Sequence, residues 1–433
     1  MKPSTIVLGG GITGLAAAMA SRAPVYESSD HPGGICSSYY LRPYEGLRLM
    51  QCPEDGEAYR FEIGGGHWIF GGDALLNHFI CALAPARTYT RRSSVYFKNR
   101  NLYVPYPLQN HLSFLDKATT SQALSEMAVA STGEVQTLAQ WLEQTFGPTL
   151  TRLFFAPFHE LYTAGLWCRI APQDGYKSPL ALSQAIQGAL GKAPAVGYNA
   201  SFLYPENGLD AIVRAMANRC QVHYHHRVVH IDLQRRRVHF ADGEEASYAN
   251  CLATLPLSHL VELADLPMET LPAPHTSVLV LNIGAVKGPR CPSDHWLYTP
   301  DSQAGFHRIG FYSNVDPSFL PASRRDDRTS IYIERSFKQG ENPAEAEVKS
   351  YTDAVILELQ EMGFIQEVEA VDPTWIEVAY TWAWPGSGWK QEAMAELETH
   401  GVFPVGRYGR WNFQGIAASI KDGFQAGSCF KWD

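Results

Sequence analysis

The chemical signal that stands out first is a run of six residues near the amino terminus, Gly9-Gly10-Gly11-Ile12-Thr13-Gly14. It follows a short apolar stretch, Thr5 to Leu8, and opens a helix-forming stretch rich in alanine, so it reads as strand, tight turn and helix. In that context Gly9 lets the chain turn sharply, Gly11 lets the backbone approach a pyrophosphate, and Gly14 lets helix pack on strand. The amides of the first helical turn, beginning at Ile12 and Thr13, lack intrahelical partners and sit at the positive end of the helix dipole, which favours an anion. A second short strand, Val25-Tyr26, ends at Glu27, where a carboxylate can accept a hydrogen bond from a ribose hydroxyl, with Ser28 beside it. Together these residues predict a dinucleotide site.

Other catalytic patterns are missing. The sequence has no serine or cysteine nucleophile motif, no HExxH and no P-loop. Its eight cysteines are scattered without a CxxC pair, which argues against structural zinc and fits free thiols in a reducing compartment. The adjacent His225 and His226 are read as carrying no metal, so a bound cofactor must supply the chemistry. Six and seven residues past Glu27 comes the pair Gly33-Gly34. It resembles the second phosphate-contacting segment of glutathione-reductase-like and amine-oxidase-like folds, and that resemblance implies FAD where the glycine turn alone also admits NAD. Further pieces resemble the same folds: Val228 at the start of a strand, Ala253-Thr254-Leu255-Pro256 as a returning strand, and Gly406-Arg407 at a late strand end. A final helix begins at Ile416 and Ala417, its amino end expected at the flavin's pyrimidine carbonyl.

A closer resemblance, to the UDP-galactopyranose mutases and especially their eukaryotic type, rests on consecutive segments. These are Gly65-Gly66-His67-Trp68-Ile69-Phe70, Arg92-Ser93-Ser94-Val95-Tyr96 and Val104-Pro105-Tyr106-Pro107-Leu108-Gln109-Asn110, with later matches at 141–147, 202–208, Phe306-His307-Arg308 and 406–411. The resemblance implies that His67 stands beside the flavin ring, that Arg308 is a mobile-loop arginine gripping a diphosphate, and that Gln109 contacts a nucleotide base. It also implies Arg169 as the second diphosphate arginine. Two positions depart from the pattern: Trp384 and Phe413 stand where the mutases carry tyrosines, and a diphosphate site that loses two charge-assisted donors is weakened by about 1.5–3 kcal/mol each.

The expected catalytic residues are therefore His67, Arg308 and Trp384, and the expected substrate contacts are Tyr106, Gln109, Arg169, Arg308 and Trp384. The cofactor set is Gly9, Gly11, Ile12, Thr13, Gly14, Glu27, Ser28, Gly33, Gly34, Gly65, Gly66, His67, Val228, Gly406, Arg407, Phe413, Ile416 and Ala417. Aromatic residues at alternating strand positions more often belong to a core, which is the bland reading of Trp382 and Trp384. A polar group at Asp174, Tyr176 and Lys177 offers a lysine that can position a water, though a loop lysine is the commoner case.

These residues need a scaffold of two lobes. A chain of 433 residues exceeds the ~250–300 at which single cores stop growing. The expected class is α/β: an FAD-binding Rossmann-like domain of glutathione-reductase type at 1–73, 191–274 and 390–433. Interleaved with it is a mixed helix/sheet substrate domain at 74–190, mostly helical, and 275–389, rich in strands. Segments 135–146, 277–283 and 329–333 carry the helix and strand periodicities. A formal net charge of −9, with no basic run longer than Arg235-Arg236-Arg237, gives a nucleic-acid role little support. No run approaches the ~18 apolar residues of a membrane span. Without a basic region or cleavage site at the start, the expected location is the cytoplasm, the expected partner a small molecule.

The function expected is an FAD-dependent oxidoreductase acting on an amine, an amino acid or a sugar derivative. The alternative is a nucleotide-sugar mutase that uses reduced flavin as a nucleophile. A flavin-binding protein without catalysis is the third reading.

Overall fold

Five short parallel strands, drawn from the beginning, middle and end of the chain, line up in the order Val402–Pro404, Asn250–Ala253, Thr5–Leu8, Val25–Tyr26 and Val222–His223. This is seen in a computed structural model that describes residues 5–129, 133–173, 175, 180–192 and 200–430. Parallel neighbours need a crossover, and the first is helix Ile12–Ser21 between the first two strands. The central strands are wholly buried at Val7, Val25 and Leu252, as expected of a parallel sheet covered on both faces. A three-stranded antiparallel meander, Val228–Asp232, Arg237–Phe240 and Glu245–Ser247, flanks this sheet.

The helix Ile416–Cys429 closes the fold by lying against Ile12–Ser21. Its Gly423 and Gly427 make that contact possible. A Cβ at Gly423 would stand 2.3 Å from the Thr13 carbonyl oxygen, and one at Gly427 would stand 2.2 Å from that of Ala17. The two helices therefore meet backbone to backbone.

The second lobe is built on a seven-stranded sheet in the order Ile365–Thr381, His275–Lys287, Arg328–Lys338, Arg308–Phe311, Trp296–Tyr298, Ser93–Phe97 and Leu102–Pro105. Its two-residue alternation divides the faces. Leu279, Leu281, Ile283, Ile331 and Ile333 pack under Tyr351, Val355 and Leu359 of helix Glu345–Glu361. Val278, Val280 and Tyr332 face the other way, into the central core shared with Trp68 and Tyr312.

A helical block, Lys117–Ala128, Leu138–Leu150 and Ala156–Tyr162, closes one end of that sheet. Asp116 caps the first of these by accepting from Thr119 N–H at 2.9 Å, and Thr137 with Gln140 forms a capping box on the second. Gly147, at φ 77°, breaks the second helix beside Pro148, and the chain continues through a wide turn, Thr151–Phe155.

The strands expected at 277–283 and 329–333 lie within His275–Lys287 and Arg328–Lys338, and the helix expected at 135–146 begins at its cap, Thr137, and runs to Leu150. The segment 74–190 is less helical than expected. It contains Ala86–Thr90, Ser93–Phe97 and Leu102–Pro105, whose partners include Ser201–Pro205 and Trp296–Tyr298, far along the chain, so local sequence carries no mark of the pairing. Helix Ala74–Leu83 packs on the cofactor side, with Phe79 and Phe424 ring centroids 5.0 Å apart. Asp174, Tyr176 and Lys177 lie outside the described residues. Among the described residues no helix is long and apolar enough to cross a membrane, and no group of His, Cys, Asp and Glu is arranged to hold a metal.

Two predictions follow from this packing. Gly427→Leu is expected to destabilise the fold by about 1–3 kcal/mol, because the clash is with backbone that cannot rotate away; urea unfolding checks it, and an unchanged midpoint would refute the helix contact. The second concerns His295, which is fully buried and accepts the Arg92 N–H through Nδ1 at 3.2 Å. Burial, with the Arg92 charge adding to it, pushes this imidazole down to about 3. The unfolded chain takes up a proton below about 6.5 that the folded chain refuses, so stability falls as pH drops through that window. His295→Asn is thus expected to lose less stability than the parent between pH 7 and 4.5, by on the order of 2 kcal/mol, in thermal or urea melts run at both pH values.

Candidate active site

A cavity of about 960 Å³ is lined at once by the glycine turn, the two helix ends of the parallel sheet's layer and residues of the seven-stranded sheet. It lies near the upper end of the ~300–1,000 Å³ range of ligand sites. One end is made by the glycine turn. Gly9, at φ 95°, turns the chain off the first strand, and Gly14 lets the helix settle on it, since a Cβ there would lie 2.0 Å from the Gly9 carbonyl oxygen. Gly11 precedes the helix in extended conformation, and nothing lies within 4 Å of where its Cβ would be. The helix has no side-chain cap and no acid in its first turn, so the amides at Ile12 and Thr13 face the cavity as donors.

Glu27 stands at the edge of this cradle, 7% exposed, with Oε2 accepting from Gly10 N–H at 2.6 Å and Oε1 from Ser29 N–H at 2.8 Å. Ser28 braces it, its hydroxyl donating to Glu27 Oε1 at 3.1 Å, and does not reach the wall. Gly33 donates its N–H to the Gly10 carbonyl at 2.9 Å, which brings Gly33 and Gly34 against Gly11 as a second backbone wall. The opposite helix, Ile416–Cys429, also lacks a side-chain cap and presents Ile416, Ala417 and Ala418 to the same cavity. Two uncapped helix ends and a wall of glycines fit a long, anionic, planar cofactor, since each leaves space or donors that a side chain would remove.

At the middle of the cavity His67 stands half-buried. Gly65 and Gly66 let it close over the large sheet: a Cβ at Gly66 would collide with the Tyr332 ring, and one at Gly65 would lie 3.2 Å from Glu334 Oε1. Burial, then the nearby Arg407 charge, pushes His67 down to about 4, so it is neutral at neutral pH. Arg407 lies 4.7 Å over Phe413, and its Nη2 donates to the Ala379 carbonyl at 2.9 Å.

The far end is an aromatic chamber. Tyr106 and Tyr298 lie with centroids 4.7 Å apart, and Tyr162 stands edge-on to Tyr380 at 4.7 Å and to His307 at 5.3 Å. Phe154, Phe155 and Phe158 complete this wall, the first two delivered by the wide turn after Gly147. Beside them Arg308 donates to Glu334, a carboxylate only 2% exposed, which also accepts from Tyr380 OH at 3.2 Å and lies 3.4 Å from His307 Nε2. Burial alone would raise that carboxyl, but Arg308 and His307 outweigh it and hold it down to about 2.

Most of the expected cofactor residues thus converge: Gly9, Gly11, Ile12, Thr13, Glu27, Gly33, Gly34, Gly66, His67, Arg407, Phe413, Ile416 and Ala417 all line the cavity, as do Tyr106 and Arg308. Others do not reach it. Gly406, at φ 81°, braces Thr13 from behind, and half-buried Val228 begins the meander outside the wall. Gln109, 1% exposed, sits in a short turn under helix Leu182–Ala189. Arg169 and Trp384 meet each other elsewhere, the guanidinium 5.2 Å from the ring and Trp384 Nε1 donating to the Pro272 carbonyl at 3.0 Å. Arg308 is no loop residue either: it begins strand Arg308–Phe311, in register with Glu334 across the sheet.

Glu334, Tyr380, Tyr162 and Phe158 escaped sequence reasoning. One signal was available for Glu334: it follows Tyr332 on the inward face of an alternating strand, where an acid needs a partner.

Among solved structures, the chain is similar to a reduced UDP-galactopyranose mutase, with 20% identity, a TM-score of 0.83 and coverage of 98% of this chain and 95% of that one. A protein provisionally named protoporphyrinogen oxidase from Exiguobacterium sp. matches at 14% identity and TM-score 0.68, covering 99% and 98%. A putrescine oxidase variant matches at 13% identity and TM-score 0.61, again covering 99% and 98%. These likenesses concern the fold. The family model described as flavin containing amine oxidoreductase matches residues 12–281, more than half of the chain and including the glycine cradle from Ile12 onward. The protein accordingly belongs to the flavin-containing amine oxidoreductase family and is a flavoenzyme with FAD as its cofactor.

Proposed function

We propose that this chain is an FAD-dependent oxidoreductase that removes a hydride from a polar small molecule with an apolar body, an amine, an amino acid or a sugar derivative, and passes the electrons to oxygen or a carrier. The observation that carries this reading is the make-up of the chamber beyond His67: ring faces, with Arg308 matched by a buried carboxylate. Such a wall suits a neutral or cationic group, and an amine gains from the faces of Tyr106, Tyr162, Tyr298 and Tyr380. Bound FAD supplies a two-electron acceptor. The chain's residues do the rest. Ile12, Thr13, Ile416 and Ala417 present amides to the cofactor's anionic parts, and Glu27 stands ready for a ribose hydroxyl. His67 offers an uncharged imidazole next to the reacting centre, and the phenylalanines exclude water from it.

The second reading, a nucleotide-sugar isomerase working on reduced flavin, is favoured by Arg308 lining the cavity with part of its side chain exposed. Against it, a diphosphate site would call on Arg169 as well, and that residue lies against Trp384 away from the cavity.

Anaerobic titration with small aromatic and aliphatic amines is expected to bleach the flavin band and to restore it on admitting air or an acceptor. Bleaching by no amine, amino acid or sugar derivative, together with UDP-sugar turnover only after chemical reduction, would transfer the assignment to the isomerase. For the cofactor, Gly11→Val is expected to yield folded but colourless protein, because the added side chain occupies the space left for the pyrophosphate. Circular dichroism establishes folding and the visible spectrum reads flavin content; a yellow G11V protein would count against this placement.

A further inference from the structure

We propose that Glu334 is the residue that decides the charge of the substrate, making the chamber reject anions by cancelling Arg308 from within. The proposal rests on the oxidoreductase reading and gives its substrate class a sign.

The argument begins with the sheet. Arg308 and Glu334 are directly opposite one another on neighbouring antiparallel strands, so their pairing is imposed by backbone register and does not depend on a flexible loop. Glu334 is 2% exposed and Arg308 donates to it from the chamber side. Tyr380 OH donates to the second carboxylate oxygen at 3.2 Å, which fixes the carboxylate's orientation. His307, 1% exposed and 3.4 Å from the same oxygen, is held neutral by burial, so it adds no compensating cation. The cluster of Arg308, Glu334, His307 and Tyr380 therefore sums to zero charge.

An arginine on the wall of an aromatic pocket would by itself be an anchor for a carboxylate or phosphate. Here an incoming anion can reach Arg308 only at the part of the guanidinium that Glu334 does not hold, and it meets the negative charge of the buried carboxylate alongside, which offsets the attraction. A cation or neutral group meets no such obstacle, and gains from the ring faces. Arg407, the other arginine of the cavity, has its guanidinium over the Phe413 and Tyr380 rings, at 4.7 and 5.6 Å, and donates to the Ala379 carbonyl, so its charge lies on the cofactor side of Tyr380 and is not the one that Glu334 pairs. Glu334 thus acts as a specificity-determining residue through Arg308.

The test uses the FAD-loaded enzyme and two probes of equal shape and opposite charge, benzylamine and benzoate, with binding read from perturbation of the flavin spectrum and from calorimetry under anaerobic conditions. The parent enzyme is expected to bind benzylamine at least tenfold tighter than benzoate. In Glu334→Gln, which keeps the shape and removes the charge, benzoate is expected to tighten at least tenfold and benzylamine to weaken. The double variant Arg308→Met with Glu334→Gln should lose the benzoate gain. Equal affinity of the parent for both probes would overturn the proposal without any variant, and so would an E334Q protein with the parent's preference or a gain that survives loss of Arg308. Because the readout is binding, the outcomes separate: inverted preference with no substrate bleaching sinks the oxidase reading alone, whereas amine bleaching with unchanged preference sinks this proposal alone.

Discussion

The contact between the first helix and the last one governs the geometry of everything around it. Gly423 and Gly427 bring the C-terminal helix onto the backbone of Thr13 and Ala17, at distances that no side chain would allow. The result is two helix amino ends, neither capped by a side chain, opening on one cavity. Unpaired amides are costly to bury against nothing, so this arrangement implies an anionic or carbonyl-bearing occupant that satisfies them. The chain's beginning and end are joined for that purpose. The parallel sheet repeats the logic, with Val402–Pro404, Asn250–Ala253 and Thr5–Leu8 adjacent although they are far apart in sequence.

The large sheet contributes a different kind of control. Its alternation puts aliphatic residues under helix Glu345–Glu361 on one face, and on the other Tyr332 into the central core and Glu334 onto the cavity wall. Gly65 and Gly66 then allow the His67 segment to lie on that inner face, so the imidazole is desolvated and kept neutral. Substrate chemistry in this molecule is thus shaped by what surrounds each titratable group as much as by the groups themselves. Arg308 is the clearest instance, because its meaning reverses with its partner: alone it is an anion anchor, against Glu334 it is a neutral part of the wall.

The nucleotide end of the site was legible in the amino-acid sequence because its chemistry is local. Gly9, Gly11, Gly14, Glu27, Gly33 and Gly34 lie within a few dozen residues; the glycines act through backbone that only the absence of a Cβ allows, and Glu27 through a carboxylate at the end of the next strand. His67, Arg407, Ile416 and Ala417 were found through resemblance to known folds, and they do line the cavity. What tertiary structure alone decided is how distant segments meet. Resemblance put Gln109, Arg169 and Trp384 at the substrate, yet Gln109 is packed under a helix and the other two are paired with each other outside the wall. The strands within 74–190 were hidden for the same reason: their partners lie at Ser201–Pro205 and Trp296–Tyr298, and a strand's identity depends on a neighbour that local periodicity does not contain. By itself the sequence pointed to a dinucleotide and to the glycine turn that lines the cavity, since glycine spacing and helix ends are short-range physics. That Arg308 meets Glu334 was decided only by the fold, because ion pairing is a property of distance and burial, not of either residue alone.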